Sequence, residues 1–311
     1  MSSFGSFISG IPPAFILAVL VLLFLLTAVV VTSSQGNSRF MRLCHMTLLI
    51  ASCLLFLMPA WGMFATALKT EKQIASYQNI FQLMWPHPVR WANFVEVFEF
   101  MPFARYLGNT VYITLLSMAG TVASCSCAAY AFARLKWPGR DFLFAALLAT
   151  MMLPPHVTLI PQFLVYSHLG WVNSFKPLWV PTFLGTAFFI FLLRQFFLSI
   201  PRDLEEAAEI DGCGHAGVFW RILLPLLKPA LLAVMIFQFL NSWNDFVGPL
   251  VYLNRADMLT MSVALNGFRT LHGAQWGLLM AAATVMTVPV LVLFFAAQRY
   301  FVEGVTITGI K

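Results

Sequence analysis

Long stretches of this chain contain no Asp, Glu, Lys or Arg, and apolar residues fill most of their positions. A helix needs about 20 such residues to cross the hydrocarbon core of a bilayer. Runs of that scale recur along the sequence, and the pattern therefore predicts a membrane protein. Seven helical spans are expected, at residues 12–31, 44–66, 107–131, 142–164, 178–198, 230–251 and 277–297.

Composition supports an all-α fold class, a polytopic bundle of membrane helices. Hydrophobic residues make up 60% of the chain and charged residues only 10%. In lipid the backbone must satisfy its own hydrogen bonds, and a helix does so within one segment. Prolines interrupt several spans and predict kinks there. The prolines in question include Pro154, Pro155, Pro161 and Pro289.

The net charge of +6 fits a membrane protein better than a nucleic-acid binder, because the sequence has no basic stripe. Lys and Arg concentrate in the cytoplasmic loops of membrane proteins. Since Arg39 and Arg42 follow the first span, the N-terminus is expected outside and the C-terminus in the cytoplasm. The run at 12–31 is expected to be retained. The alternative is a cleaved signal peptide, which would begin with a positive region that is absent here.

One segment breaks the apolar pattern. It reads EAAEIDGCGHAGVFWRILLPLLKP at residues 206–229, and five acidic residues fall within the nine positions from Asp203 to Asp211. The predicted topology places this segment in the cytoplasm. Pro201 at the first helical position, an acid in the first turn and Gly212 past the end predict a short helix. A second short helix is expected to follow it.

The first of these helices has a side suited to docking, because two adjacent alanines would let another backbone approach closely. By helical spacing, that side is formed by Leu204, Ala207, Ala208 and Asp211. Glu205 and Glu209 are expected on a different side, in contact with water. A solvated connector between two spans is the plainer alternative.

The segment resembles the cytoplasmic motif EAA---G---------I-LP of permease subunits in binding-protein-dependent ABC transporters. The motif is complete here, with Glu206, Ala207, Ala208, Gly212, Ile222, Leu224 and Pro225. Three longer stretches are similar to the carbohydrate branch of that family, and specifically to its smaller maltose-type permease subunit. They read FLLRQFFLSIPRDLEEAAEIDG, FLNSWNDFVGPLVYLN and QRYFVEGVTITGIK.

The resemblance divides the chain into two parts. It covers residues 43–311, which would form a permease domain with the six spans of a type I ABC importer core. A cytoplasmic coupling loop would lie at 199–229 within that domain. Residues 1–42 depart from the resemblance and would add an extra N-terminal span and a cytoplasmic linker.

The resemblance also implies partners. The helix from Glu206 to Gly212, including Asp211, would be a coupling helix seated in a cleft of a cytoplasmic ATPase subunit. Residues 298–304 would touch the ATPases as well. Two ATPase subunits would bind ATP-Mg, so no cofactor is expected in this chain. A second permease subunit would pair with it in the bacterial cytoplasmic (inner) membrane, and an extracytoplasmic solute-binding protein would deliver a carbohydrate substrate.

The sequence contains no motif that could power transport or catalyse a reaction. It has no P-loop, and no HExxH or GxSxG sequence, so an enzyme is not expected. Most of its five cysteines lie in apolar spans and predict no metal site. Carboxylates are scarce in the middle of the spans. This favours energy supplied by a partner over the two other classes considered, a stand-alone secondary transporter and a membrane-embedded enzyme.

The densest polar cluster in any span reads NSWND, at residues 241–245. Amide and carboxylate groups suit sugar hydroxyls, and a Trp face suits a sugar ring. The candidates for the substrate path are therefore Asn241, Trp243, Asn244 and Asp245. Interhelical hydrogen bonding is the plainer role. Asn241 and Asn244 should share a side while Trp243 points elsewhere. Glycerol phosphate and a polyamine are the alternatives to a carbohydrate.

Overall fold

The computed structural model describes residues 39–76, 82, 84–270 and 275–307, and the predicted span 12–31 lies outside them. Every regular element in this part of the chain is a helix. The predicted all-α fold class is therefore confirmed.

The α-helices of the described residues are numbered α1 to α14 in chain order. They are α1 (Arg39–Ala67), α2 (Glu71–Ser76), α3 (Ala92–Phe100), α4 (Phe103–Arg134), α5 (Arg140–Thr150), α6 (Pro155–His168), α7 (Lys176–Trp179), α8 (Ala187–Ser199), α9 (Asp203–Ile210), α10 (His215–Leu226), α11 (Lys228–Trp243), α12 (Val247–Tyr252), α13 (Met261–Thr270) and α14 (Trp276–Ile307). Helix α10 contains a π-helical turn, Val218–Leu223. Short 3-10 helices occur at Val180–Leu184 and Ala256–Met258.

Several helices are long and apolar enough to cross a membrane. Two bent pairs, α5 with α6 and α10 with α11, also pass if each pair is counted as one span. The described residues thus hold four to six candidate spans. The four unbroken ones are Met46–Ala67, Phe103–Arg134, Lys176–Ser199 and Trp276–Gln298.

The predicted span at 142–164 is broken rather than continuous. Helix α5 ends at Thr150, α6 begins at Pro155, and the two axes are bent by 102°. A proline lacks a backbone N–H and pushes the residue before it out of the helical region. Pro154 has an extended backbone, with φ −62° and ψ 134°, immediately before Pro155. The expected kink is confirmed, and it is sharp enough to divide the span.

The predicted span at 178–198 is also irregular in its first half. It starts as α7, continues as the 3-10 helix Val180–Leu184 and resumes as α8 after Gly185, which has a left-handed φ of +88°. Helix α4 approaches this segment closely at Gly120, because a Cβ there would lie 2.6 Å from Thr182 Oγ1. The Ser124 hydroxyl donates to the Thr182 carbonyl at 2.9 Å and joins the two elements.

The chain forms two compact units, and one of them contains 39–76, 82, 84–97 and 275–284 among its described residues. In this unit an aromatic cluster joins α1 to the segment that leads into α3. Its members are Trp61, Phe64, Trp85, Trp91 and Phe94. These ring contacts pack the segment before α3 against the C-terminal half of α1.

The other unit contains 98–270 and 285–307 of the described residues and is organised around α4. This helix packs most extensively against α8 and α11. The apolar core at its C-terminal end continues into the segment that carries the acidic residues. Core side chains include Cys125, Ala129, Phe189, Leu193, Phe197, Ala208, Phe219, Leu223 and Val234. The acidic segment is therefore part of the folded unit and not a loose connector.

Candidate functional site

The acidic segment forms α9, a helix of 8 residues that begins at Asp203. The predicted start at Pro201 is two residues too early, because Arg202 is the N-terminal flanking residue. Gly212 ends the turn with a left-handed φ of +86°. Its N–H donates to the Glu209 carbonyl at 3.0 Å, and the Cys213 N–H donates to the Ala208 carbonyl at 2.9 Å. This is the Schellman arrangement that favours glycine at this position.

The sides of α9 differ from the expectation. Ala208 is buried in the core of the unit, so the expected docking side loses one member. Glu205 does not meet water as expected, since its side chain is only 15% exposed. The two residues are three apart and therefore lie on the same, inward side. The other three expected members, Leu204, Ala207 and Asp211, are exposed.

A buried ion pair holds the inward side of α9. Arg134, the last residue of α4, places Nε at 2.8 Å from Glu205 Oε1, and its side chain is only 4% exposed. Arg134 Nη2 also donates to the carbonyls of Phe197 and Ile200, at 2.5 and 2.6 Å. One guanidinium thus satisfies carbonyls at the end of α8 and binds the carboxylate of α9.

The electrostatics of this pair follow from its burial. Removal from water raises the pKa of the Glu205 carboxyl, and the positive charges of Arg134 and Arg202 oppose that rise. A buried charge is tolerated only when it is paired. Arg134 Nε and Glu205 Oε1 depend on their mutual ion pair, because neither atom has a hydrogen-bond partner among the described residues. Because the arginine and glutamate depend on each other in this way, α9 has a specific position against α4 and α8.

Helix α10 is anchored to the same core. The Tyr130 hydroxyl donates to the His215 carbonyl at 3.3 Å, and the Tyr130 ring lies 5.1 Å from that of Phe219. The motif residues Ile222 and Leu224 are half-buried against this core, and Pro225 is exposed. The second half of the motif thus packs α10 against this core and leads into α11.

The outward side of α9 and the adjoining turn of α10 present apolar side chains between acids. Ile210 is 86% exposed, and Leu204 and Trp220 are also exposed. Glu206 and Asp211 are exposed beside them. Large apolar side chains clustered on a surface indicate a contact with another molecule. We call this side, formed by Leu204, Glu206, Ala207, Ile210 and Asp211, the outer face of α9.

The polar cluster at 241–245 lies at a helix end and not inside a continuous span. Helix α11 ends at Trp243, and α12 begins at Val247. Trp243 is buried; its Nε1–H donates to the Met286 carbonyl at 3.1 Å, and its ring stacks on Phe239. The predicted separation of Trp243 from the two asparagines is therefore confirmed.

The remaining polar residues of the cluster divide into two kinds. Asp245 accepts a hydrogen bond from the Gly248 N–H at 3.1 Å and so caps the start of α12. Asn241 and Asn244 are both exposed. The Asn244 amide donates to the Leu240 carbonyl at 3.0 Å. Of the four predicted path residues, only the two asparagines present polar atoms on an open side.

Two features were missed by the sequence interpretation. The first is Arg134, to which sequence reasoning assigned no role and whose side chain the structure buries at the end of α4. A row of hydroxyl residues on α4 also went unnoticed despite its helical spacing. It consists of Thr110, Thr114, Ser117, Thr121 and Ser124, several of which are fully buried. The described residues contain no cluster of His, Cys, Asp or Glu that could hold a metal ion.

Comparisons with known proteins agree with this architecture. Residues 120–307 match the family described as the binding-protein-dependent transport system inner membrane component. The arabinooligosaccharides transport system permease protein AraQ of Halalkalibacterium halodurans is 35% identical over 227 residues, which cover 73% of this chain and 81% of AraQ. The sulfoquinovosyl glycerol transport system permease protein SmoH of Agrobacterium fabrum is 33% identical over 285 residues, covering 90% and 99%.

A third relative, the sn-glycerol-3-phosphate transport system permease protein UgpE of Yersinia pestis, is 32% identical over 269 residues, covering 84% of this chain and 94% of UgpE. Among solved structures, a chain of a bacterial ABC transporter involved in the import of the acidic polysaccharide alginate aligns with a TM-score of 0.74. It is 22% identical and covers 86% of this chain and 100% of that chain, so this likeness concerns the fold.

The family match, the identity to curated permeases and the shared fold agree on one kind of molecule. It is a multi-pass transport protein of the inner membrane and not an enzyme. The chain belongs to the family of binding-protein-dependent transport system inner membrane components.

Proposed function

We propose that the chain is one of two permease subunits of an ATP-driven importer, and that its outer face of α9 docks into a cytoplasmic ATPase subunit. The observation that supports this proposal most strongly is the geometry of α9. A buried ion pair fixes its inner side, while Ile210 and Leu204 are exposed on its outer side. A helix fixed in this way can transmit a movement of the ATPase subunit to α4 and α8. ATP-Mg would be bound by the two ATPase subunits.

The orientation proposed for the chain follows from this docking. The segment 199–229 would face the cytoplasm, with the N-terminus outside and the C-terminus inside. The backbone of α14 is helical to Ile307, and residues 298–304 within it would make a second contact with the ATPases. A second permease subunit would complete the pathway, and a solute-binding protein would deliver the substrate from outside.

The proposed substrate is a sugar or an oligosaccharide. Support comes from relatives named as permeases for arabinooligosaccharides and for sulfoquinovosyl glycerol. UgpE, named for sn-glycerol-3-phosphate, supports the alternative of a phosphate ester. Asn241 and Asn244 are the proposed contacts on the path, because amides can both donate to and accept from hydroxyl groups. We propose no direct contact for Trp243 or Asp245.

Charge reversal on the outer face of α9 tests the docking. Glu206→Lys should lower substrate uptake by at least about tenfold, since a like-charge or unpaired group at an interface typically costs more than 1.4 kcal/mol. Glu209→Lys is the charge-matched comparison, because it reverses the same charge on the same helix one turn from Glu206, at a carboxylate that lies 3.8 Å from His215 within this chain and is not part of the outer face. The control should retain most uptake.

Cross-linking of position 210 to the ATPase subunit is measured alongside uptake. It distinguishes a loss of docking from a loss of membrane insertion. Both variants should reach the membrane in the wild-type amount. Wild-type uptake and wild-type cross-linking in Glu206→Lys would contradict the proposed role of α9.

A further inference from the structure

A cavity of about 420 Å³ lies beside α9, between the α4–α5 loop and the residue that precedes α9. It is distinct from the outer face of α9. Its walls include Lys136, Trp137, Arg140, Asp141, Phe142 and Arg202. Three of these side chains are basic and one is acidic, so the lining carries a formal excess of two positive charges.

Two of the three cations are available to a ligand. In the part of the chain that the structure describes, neither Lys136 nor Arg202 forms an ion pair, and both are exposed. Arg140 is partly engaged, with Nε at 2.8 Å from Asp141 Oδ1 and Nη1 at 3.3 Å from the Leu135 carbonyl. Positive charges gathered around a cavity favour an anion, and the carboxylate of Asp141 competes with it for Arg140.

The apolar side chains around the cavity indicate which kind of anion it fits. Phe142, in the wall of the cavity, is 76% exposed, and Leu143 next to it is also exposed. Both belong to α5, which is half of a candidate membrane span. Trp137 is half-buried in the wall, and tryptophan favours the interface between membrane and water. The cavity therefore combines a basic pocket with an apolar edge at the end of a membrane helix.

We propose that this cavity binds the phosphate of an anionic phospholipid, with Lys136 and Arg202 contacting the phosphate and the acyl chains running along Phe142 and Leu143. Basic pockets beside membrane helices are suited to such head groups. A free phosphate would satisfy the same cations but would leave the apolar edge unused. Because Arg202 directly precedes α9, an occupied site ties the start of that helix to the membrane surface.

The experiment measures lipid retention by the assembled transporter, purified in detergent with this chain at full length. Native mass spectrometry during titration with phosphatidylglycerol, phosphatidylcholine or inorganic phosphate distinguishes the three probes. Phosphatidylglycerol should bind more tightly than phosphatidylcholine. In the double variant Lys136→Gln/Arg202→Gln its affinity should fall about thirtyfold, the product of two surface cations acting on an anionic head group.

Two single variants complete the test. Asp141→Asn removes the competing carboxylate and should tighten phosphatidylglycerol binding, a gain that a misfolded protein would not show. Lys228→Gln removes an exposed cation that does not line the cavity and should leave binding unchanged. Equal retention of the two lipids, unchanged binding in the double variant, or displacement of the lipid by an equal concentration of inorganic phosphate would each overturn the proposal.

Discussion

Arg134 joins the ends of α4 and α8 to α9 through one guanidinium group. Its planar fork allows it to bind the Glu205 carboxylate and two backbone carbonyls at the same time. A lysine would carry the same charge but could not reach all three groups with fixed geometry. The pair therefore defines where α9 sits, which is the property that a docking helix needs.

The first prediction concerns this pair. Arg134→Ala should destabilise the assembled protein by about 3–5 kcal/mol, because it leaves the Glu205 carboxylate buried without a partner. Arg134→Lys should recover only part of the loss. The double variant Arg134→Met/Glu205→Met should be more stable than Arg134→Ala alone, since it removes both charges. Thermal unfolding of the purified complex measures all three.

Arg140→Ala is the matched control, because Arg140 pairs with an exposed carboxylate, Asp141. It should change the melting temperature little. If Arg134→Met/Glu205→Met lost as much stability as Arg134→Met and Glu205→Met lose when each is measured alone and the two losses are added, the residues would act independently and the role assigned to the ion pair would be wrong.

The second prediction concerns the exposed asparagines at the end of α11. If Asn241 and Asn244 contact the substrate, Asn241→Ala and Asn244→Ala should each lower uptake per assembled complex by about tenfold, the cost of one lost hydrogen bond to a ligand. A panel of sugars should show the same change in preference for both. Trp243→Phe should instead lower the amount of assembled complex, because it loses the bond to Met286.

Uptake per complex that is unchanged in both asparagine variants would remove these side chains from the substrate path.

The positions of Trp243 and Glu205 show which side-chain environments helical spacing can predict and which it cannot. Helical spacing separated Trp243 from the asparagines correctly, because that separation depends on one helix. It assigned Glu205 to water because the partner, Arg134, lies 71 positions earlier in the sequence, and spacing within α9 carries no information about it.

At the scale of elements, apolar run length located the spans but not their breaks. The spans at 44–66 and 107–131 correspond to single long helices, because nothing in these runs stops a helix except Pro59, which α1 accommodates. The spans at 142–164, 178–198 and 230–251 are interrupted at Pro154, at Gly185 and after Trp243. Whether a proline bends a helix or divides it depends on neighbours that satisfy the freed carbonyls.

The third prediction tests the close approach of α4 to the broken span. Gly120→Ala should lower the amount of assembled, transport-competent protein, because a Cβ at this position would overlap the Phe183 ring and the Thr182 hydroxyl. Overpacking of this kind typically costs about 1–3 kcal/mol. Gly108→Ala is the matched control on the same helix, since a Cβ there would meet no atom within 4 Å.

Thermal unfolding and the yield of assembled complex measure the effect of both glycine variants. Equal stability of Gly120→Ala and Gly108→Ala would show that Phe183 and Thr182 move aside at no cost. The contact between α4 and the 3-10 helix Val180–Leu184 would then tolerate a larger side chain at position 120.

At the scale of the whole chain, α4 connects two ends of its compact unit. It has 32 residues, and at helical rise it is about 48 Å long, which exceeds the hydrocarbon thickness of a bilayer. Near its start, the Asn109 amide donates to the carbonyls of Asp257 and Leu259, at 3.1 and 2.9 Å. At its end, Arg134 binds α8 and α9. The loop before α13 and the outer face of α9 therefore belong to opposite ends of one membrane helix.

The fourth prediction uses this arrangement to test the proposed orientation. In a background without the five natural cysteines, single cysteines are placed at Ala256, before α13, and at Pro138, in the α4–α5 loop. Both positions are exposed. A membrane-impermeant maleimide should label Ala256→Cys in spheroplasts and should label Pro138→Cys only after the membrane is opened. Because the expected orientation rests on the positions of Arg39 and Arg42, labelling is a more direct measure than loop charge. The reverse pattern would place α9 outside, where no ATPase could reach it, and would contradict both the orientation and the docking proposal. Labelling of both positions in spheroplasts would show that α4 does not cross the membrane.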